Sequence, residues 1–147
     1  MAVADPHRAA VRDAVARALA EDLVPLGDLT SALLPVDARA VADVVARVEG
    51  VVAGTACVEE TFAQLDAAVE VAWSVVDGDR IGAGQVLGTV TGPMAPVLSG
   101  ERTALNFLCH LSGVASATRR FVDAAAAGGP ARCGDPRKSL PGLRTLE

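Results

Sequence analysis

Residues 101–111 read Glu-Arg-Thr-Ala-Leu-Asn-Phe-Leu-Cys-His-Leu, and their spacing predicts one long helix around which the rest of the chain is organised. At about 100° per residue, Ala104, Leu105, Phe107, Leu108, Leu111, Val114, Ala115, Phe121 and Val122 cover a broad apolar arc, the pattern of a helix packed on a core. Arg102, Asn106, Cys109, Gly113, Ser116 and Arg120 share the remaining face. Gly113 costs about 1 kcal/mol against Ala in a helix interior, so either a close backbone approach or a kink is expected there. Ser99 reads as the N-cap, which places Arg102 in the first turn, where a cation opposes the helix dipole. Two readings of Arg102 follow: an anion occupies the helix N-terminus, or Glu101 offsets the charge and Arg102 points into water. Gly128-Gly129-Pro130 ends the helix.

Upstream, Asp5 and Pro6 are expected to cap a first helix reaching about residue 20, with Val11, Val15 and Leu19 on one face. Gly27-Asp28-Leu29-Thr30-Ser31 forms a loop. Over residues 38–48 the even positions are Ala or Val and Arg39, Asp43 and Arg47 are odd, the period of a half-buried strand. A short strand is expected at 51–53, a helix at 55–65, a strand through Val69, Val71, Trp73 and Val75, and another at 86–90. Asp77-Gly78-Asp79 and Gly82-Ala83-Gly84 mark turns. This mixture is α+β, and Pro93 and Pro96 separate it from the long helix.

The chain has 147 residues, 51% of them apolar and only 3% aromatic, which is enough for one or two small domains with a real core. No apolar run approaches the roughly 20 residues of a membrane span, and the N-terminus has no signal-peptide core, so a cytoplasmic location is expected. A net charge of −5 without a basic face argues against nucleic acid as a partner. Cys57, Cys109 and Cys133 are too far apart in sequence for a disulfide framework or a local zinc signature. His7 and His110 have no acid or thiol at ligand spacing, and a hydrogen-bonded packing role suits His110. No GxSxG, Walker or Rossmann pattern occurs.

Residues 76–94 resemble the hammerhead of biotinyl and lipoyl carrier domains. A swinging-arm carrier needs a lysine at a hairpin tip, and the only lysine among the 13 basic residues is Lys138, far outside this segment. The hammerhead is therefore read as structural. Lys138 has its own setting, Asp135-Pro136-Arg137-Lys138-Ser139. There the planar fork of Arg137 could grip a carboxylate while Lys138 neutralises a second anionic group; the alternative is a solvated basic pair on a loop.

Together, Gly27-Asp28-Leu29-Thr30-Ser31, the hammerhead segment, the Glu101–Leu108 run, Leu111-Ser112-Gly113-Val114-Ala115, Arg137-Lys138 and Pro141-Gly142-Leu143-Arg144 resemble quinolinate phosphoribosyltransferase in order and spacing across almost the whole chain. The resemblance implies a pentosyltransferase of NAD biosynthesis, nicotinate-nucleotide diphosphorylase (carboxylating). Such an enzyme joins quinolinate to phosphoribosyl pyrophosphate, with magnesium, and releases pyrophosphate and carbon dioxide to give nicotinate mononucleotide. By the same resemblance Arg102 contacts quinolinate from a neighbouring subunit of a homodimer or larger assembly. Pro136, Arg137 and Lys138 bind substrate, with Lys138 next to the reacting ring and ribose. Pro136 stands where the family has threonine, removing a hydroxyl and an N–H donor.

The fold implied is an N-terminal hammerhead-like α/β sandwich over residues 1–96, a connecting helix over 97–130, and over 131–147 the first strand of an α/β barrel. Barrels of this general kind take about 200 residues or more. The chain is accordingly expected to be an N-terminal portion, inactive alone, with the magnesium ligands outside it. Alternatives are a related pyridine phosphoribosyltransferase, a molybdenum-transport-associated relative, or a non-catalytic dimerisation or binding module.

Overall fold

The computed structural model describes residues 7–147. The elements in order are α1 (Arg8–Leu23), a 3-10 turn (Ser31–Leu33), β1 (Arg39–Val45), β2 (Gly50–Val51), α2 (Thr55–Leu65), β3 (Glu70–Trp73), β4 (Arg80–Ile81), β5 (Val86–Pro93) and α3 (Met94–Gly128). Strand β5 lies between β1 and β3 in an antiparallel sheet, and β2 pairs with β4 in a second, two-stranded one. The period-2 reading holds in part: β1 covers 39–45 rather than 38–48, and Ala40 and Val44 are half-buried while Val41 and Asp43 are exposed, but Ala42, expected inward, is exposed as well. A shift of register between Val44 and Val45 ends the regular ladder.

Helix α2 occupies the predicted span, and its start explains the Asp-Gly-Asp turn. Asp77 Oδ2 accepts from Gly54 N at 2.9 Å and its Oδ1 from Thr55 N at 3.2 Å, so a carboxylate more than 20 residues away in sequence satisfies two of the orphan donors at the helix start. Val76 N donates to Asp79 Oδ2, closing the turn itself, and Gly78 supplies its left-handed residue at φ 98°. The core lies between α2, α3 and the three-stranded sheet, with Val58, Phe62, Leu87, Val90, Val97 and Leu108 at its centre. A second cluster, Val11, Val15, Leu19, Cys57 and Leu111, fixes α1 against α2 and α3.

Several expectations need correction. Helix α1 runs to Leu23 rather than residue 20, and its Asp5–Pro6 cap lies outside the described residues. The short strand is Gly50–Val51, not 51–53, and its partner β4 had no local signal. The long helix begins at Met94 with Pro93 as N-cap. Met94 N still donates to Ala38 O at 2.8 Å, so β5 passes into α3 without a loop. Pro96 is tolerated as the third helical residue because first-turn N–H groups have no helical acceptor. Leu105 and Phe121, assigned to the buried arc, are 39% and 70% exposed. Gly113 has nothing within 4 Å of an added Cβ, so no backbone approaches it. The expected first barrel strand is not formed: residues 131–147 contain turns but no strand. A strand's backbone groups need a neighbouring strand, and none lies beside this segment among the described residues.

Candidate functional site

Arg102 is the ninth residue of α3, about 12 Å from its start. That is beyond the turn where the dipole acts, so the argument from an anion at the helix N-terminus does not apply to it. Its side chain is 77% exposed, and Nε lies 3.5 Å from Asp22 Oδ1 of α1. A surface pair of this kind is worth about 0–1 kcal/mol and leaves the outer edge of the guanidinium open.

The polar face of α3 divides in two. Arg102, Asn106, Cys109 and Gly113 form an exposed strip. Ser116 turns inward: its Oγ accepts from Val51 N at 2.8 Å. Ser112, absent from the predicted polar face, does the same for Ala53 N at 3.0 Å. One turn apart, the two hydroxyls hold the edge of β2 and the strand-to-α2 connection on α3.

Asp28, in the loop read as structural, also reaches α3. Its Oδ1 accepts from Thr30 N and Ser31 N, and its Oδ2 from Ser31 Oγ and from Ser99 Oγ at 2.8 Å. The Ser31 hydroxyl first, then the Ser31 amide and the Ser99 hydroxyl, hold the carboxyl down at about 2. Ser99, expected as a cap, is instead the anchor of this loop. The Asp-x-x-Ser spacing announces the local turn, but nothing local announces Ser99.

The second group of candidates lies on the exposed segment after α3. Asp135 Oδ1 accepts from Arg137 N at 2.6 Å, an Asx-turn around Pro136. Within it Arg137 adopts φ 58°, the only positive φ at a non-glycine residue among those described. A side chain in that region costs about 1–3 kcal/mol, and the turn offsets part of it. Pro136, Arg137 and Lys138 are all exposed.

Arg102 is not gathered with Arg137 and Lys138 in one cavity. A cavity of about 330 Å³ between α1, α3 and Leu143 is lined by Glu21, Asp22, Thr103, Asn106 and His110. A second, of about 260 Å³, lies at the far end of α3 among Arg80, Arg119, Arg120 and Asp123. The Arg80 guanidinium and, after it, that of Arg119 hold the Asp123 carboxyl below its usual range. None of the predicted site residues lines either cavity. Among the described residues no three His, Cys, Asp or Glu side chains gather as a metal site.

Residues 28–112 match the model of the quinolinate phosphoribosyl transferase N-terminal domain. The chain belongs to the quinolinate phosphoribosyltransferase family. It is 38% identical over 131 residues to quinolinate phosphoribosyltransferase [decarboxylating] 1b of Nicotiana tabacum, covering 88% of this chain and 37% of that protein. It is 41% identical over 121 residues to the probable nicotinate-nucleotide pyrophosphorylase [carboxylating] of Bacillus subtilis, covering 82% of this chain and 42% of the relative. The solved nicotinate-nucleotide pyrophosphorylase of Francisella tularensis superimposes with a TM-score of 0.90 at 30% identity over 96% of this chain and 50% of the other. The chain thus spans half or less of the length of these family members. No helix among the described residues is long and apolar enough to cross a membrane.

Proposed function

We propose that this chain supplies the N-terminal half of a quinolinate phosphoribosyltransferase, forming nicotinate mononucleotide, pyrophosphate and carbon dioxide from quinolinate and phosphoribosyl pyrophosphate. The likeness to the Francisella tularensis enzyme over 96% of the chain carries the reading, because it extends past the family domain toward the Arg137–Lys138 segment. Both substrates are polyanions, so a protein of net charge −5 needs local clusters of cations. In this reading Arg137 grips a ring carboxylate with its planar fork, and the Lys138 ammonium offsets negative charge beside the ring and ribose. Arg102 extends its open guanidinium edge from α3 into the site of a second subunit in a homodimer. Bond exchange at the ribosyl carbon then relies on positioning and electrostatics and needs no covalent nucleophile. Magnesium accompanies phosphoribosyl pyrophosphate, and the compartment is the cytoplasm.

The second reading, a non-catalytic dimerisation or binding module, is favoured by one observation: Pro136, Arg137 and Lys138 are exposed and line neither cavity. A hybrid enzyme separates the two. Residues 1–147 are joined to the remaining C-terminal segment of the Bacillus subtilis relative and assayed with both substrates and magnesium. The enzyme reading predicts nicotinate mononucleotide. A folded hybrid that makes none, while the Bacillus subtilis protein does, overturns it.

A further inference from the structure

Residues after α3 are anchored at two places on that same helix. One anchor is covalent, at Gly128. The other is the Glu147 carboxylate, whose Oε1 lies 2.8 Å from His110 Nε2 and whose Oε2 accepts from Leu140 N at 3.1 Å. Around this carboxylate the chain winds as a run of turns. Leu143 N donates to Leu140 O, and Leu146 N and Glu147 N both donate to Leu143 O. Leu146 packs on the cluster of Val11, Val15, Leu19, Cys57 and Leu111, and Leu143 closes the cavity that His110 lines. Arg144 Nε donates to Ser139 Oγ, tying the turn to the residue after Lys138. The hydrogen bond from His110 is the main reason that the Glu147 carboxyl lies below its usual range.

Chain length makes the second anchor consequential. From Gly128 back to His110 is about 27 Å along α3, and the 11 residues from 129 to 139 reach at most about 36–40 Å when extended. The segment therefore spends most of its length running back along the helix, which restricts how far Arg137 and Lys138, just before the clip, can move while both anchors hold. Without the clip, Gly128 and the packing of Leu143 and Leu146 would be their remaining tethers.

We propose that Glu147 and His110 act as positioning residues, clipping the turn after Ser139 to α3 so that Arg137 and Lys138 are held ready for an anionic substrate; the substrate part of this rests on the function proposed above. Amide exchange on this chain tests the clip without substrate. In Glu147→Ala and in His110→Ala the Leu140 amide should exchange about tenfold faster, the consequence of losing a charge-assisted hydrogen bond. Val58 and Val90 amides in the core should be unchanged, and His110→Arg, which keeps a donor facing the carboxylate, should restore protection. Unchanged exchange at Leu140, or equal acceleration at Val58 and Val90, overturns the clip.

The hybrid enzyme tests its purpose. Glu147→Ala should raise KM for quinolinate by about tenfold, as expected when the competent arrangement becomes a minor population, with kcat nearly unchanged. An unchanged KM overturns positioning for substrate. Arg137→Ala identifies which idea failed: if it too leaves KM unchanged, the assignment of Arg137 to substrate has fallen, and if it raises KM, only the positioning role has.

Discussion

Ser99 Oγ donates a 2.8 Å hydrogen bond to Asp28 Oδ2 across 71 residues of sequence, and so fixes the Gly27–Ser31 loop to α3 one turn before Arg102. The loop keeps its large apolar side chains outside: Leu26, Leu29 and Leu33 are all more than half exposed. Burial therefore does little to hold it, and the Asp28 carboxylate does most.

That dependence predicts a pH effect. The Asp28 carboxyl lies at about 2 in the folded chain against an ordinary 3.8, so the folded state favours its ionised form. Its contribution to stability is fully present above the ordinary value and is lost as pH falls through the folded one. The urea midpoints of wild type and Asp28→Asn should differ by a constant amount above about pH 5 and converge toward pH 2. A gap that stays the same at pH 2 contradicts the assignment.

Two glycines on α3 should respond in opposite directions to the same substitution. A Cβ on Gly100 would meet Phe62 Cε1 at 2.8 Å and Leu65 Cδ1 at 2.9 Å, whereas one on Gly113 meets nothing within 4 Å. Gly100→Ala should destabilise by about 1–3 kcal/mol through overpacking of α2 on α3. Gly113→Ala should stabilise by about 0.5–1 kcal/mol through helix propensity. Denaturant unfolding of the two variants checks both signs.

The three thiols should also separate. Cys57 is 1% exposed, and burial first, then the charges of Asp77 and Glu60, push it up to about 11, while Cys109 and Cys133 are exposed. Only the thiolate reacts. A disulfide reagent at neutral pH should modify two thiols in the native chain and the third only after unfolding. Fast modification of all three would contradict the packing of α1 on α2.

What could be read without the structure was local. Helix α2 follows from a 3.6-residue period and appears where that period placed it, and in β1 the 2-residue period located Ala40 and Val44 on the inner face but not the exposed Ala42. Features made by distant partners were invisible. Strand β4 has only two residues and is a strand because β2 lies beside it. Ser112 and Ser116 look like any polar helix face until Ala53 and Val51, some 60 residues earlier, supply their partners. The start of α3 was misplaced because a serine before an apolar run imitates a cap, while strand pairing at Met94 determines the actual start. Arg137 and Lys138 stood out as candidates because a planar and a point charge suit polyanions, while Arg102 and Pro136 were candidates through the family resemblance. Their separation on an exposed helix strip and an exposed turn was not legible.

In the hybrid enzyme Arg137→Lys keeps the charge but removes the planar fork. Quinolinate binding should weaken by about 1.5–3 kcal/mol, the range for hydrogen bonds to charged groups. Titration of quinolinate into the two proteins checks it, and equal affinity would return Arg137 to an ordinary solvated surface position.

The central claim, that Arg102 from one subunit and Arg137 from another serve one site, is tested most directly by mixing two inactive hybrids. In a symmetric dimer Arg102→Ala or Arg137→Ala alone damages both sites, whereas in a mixed dimer both lesions fall in one site and the other is intact. Random assembly of equal amounts gives mixed dimers about half the time, so about a quarter of all sites should recover full activity. The measurement is nicotinate mononucleotide formation after co-expression of the two variants. Recovery to about a quarter of the unmutated hybrid's rate is the predicted result. Activity no higher than that of either variant alone, in preparations that demonstrably contain mixed dimers, would contradict the claim.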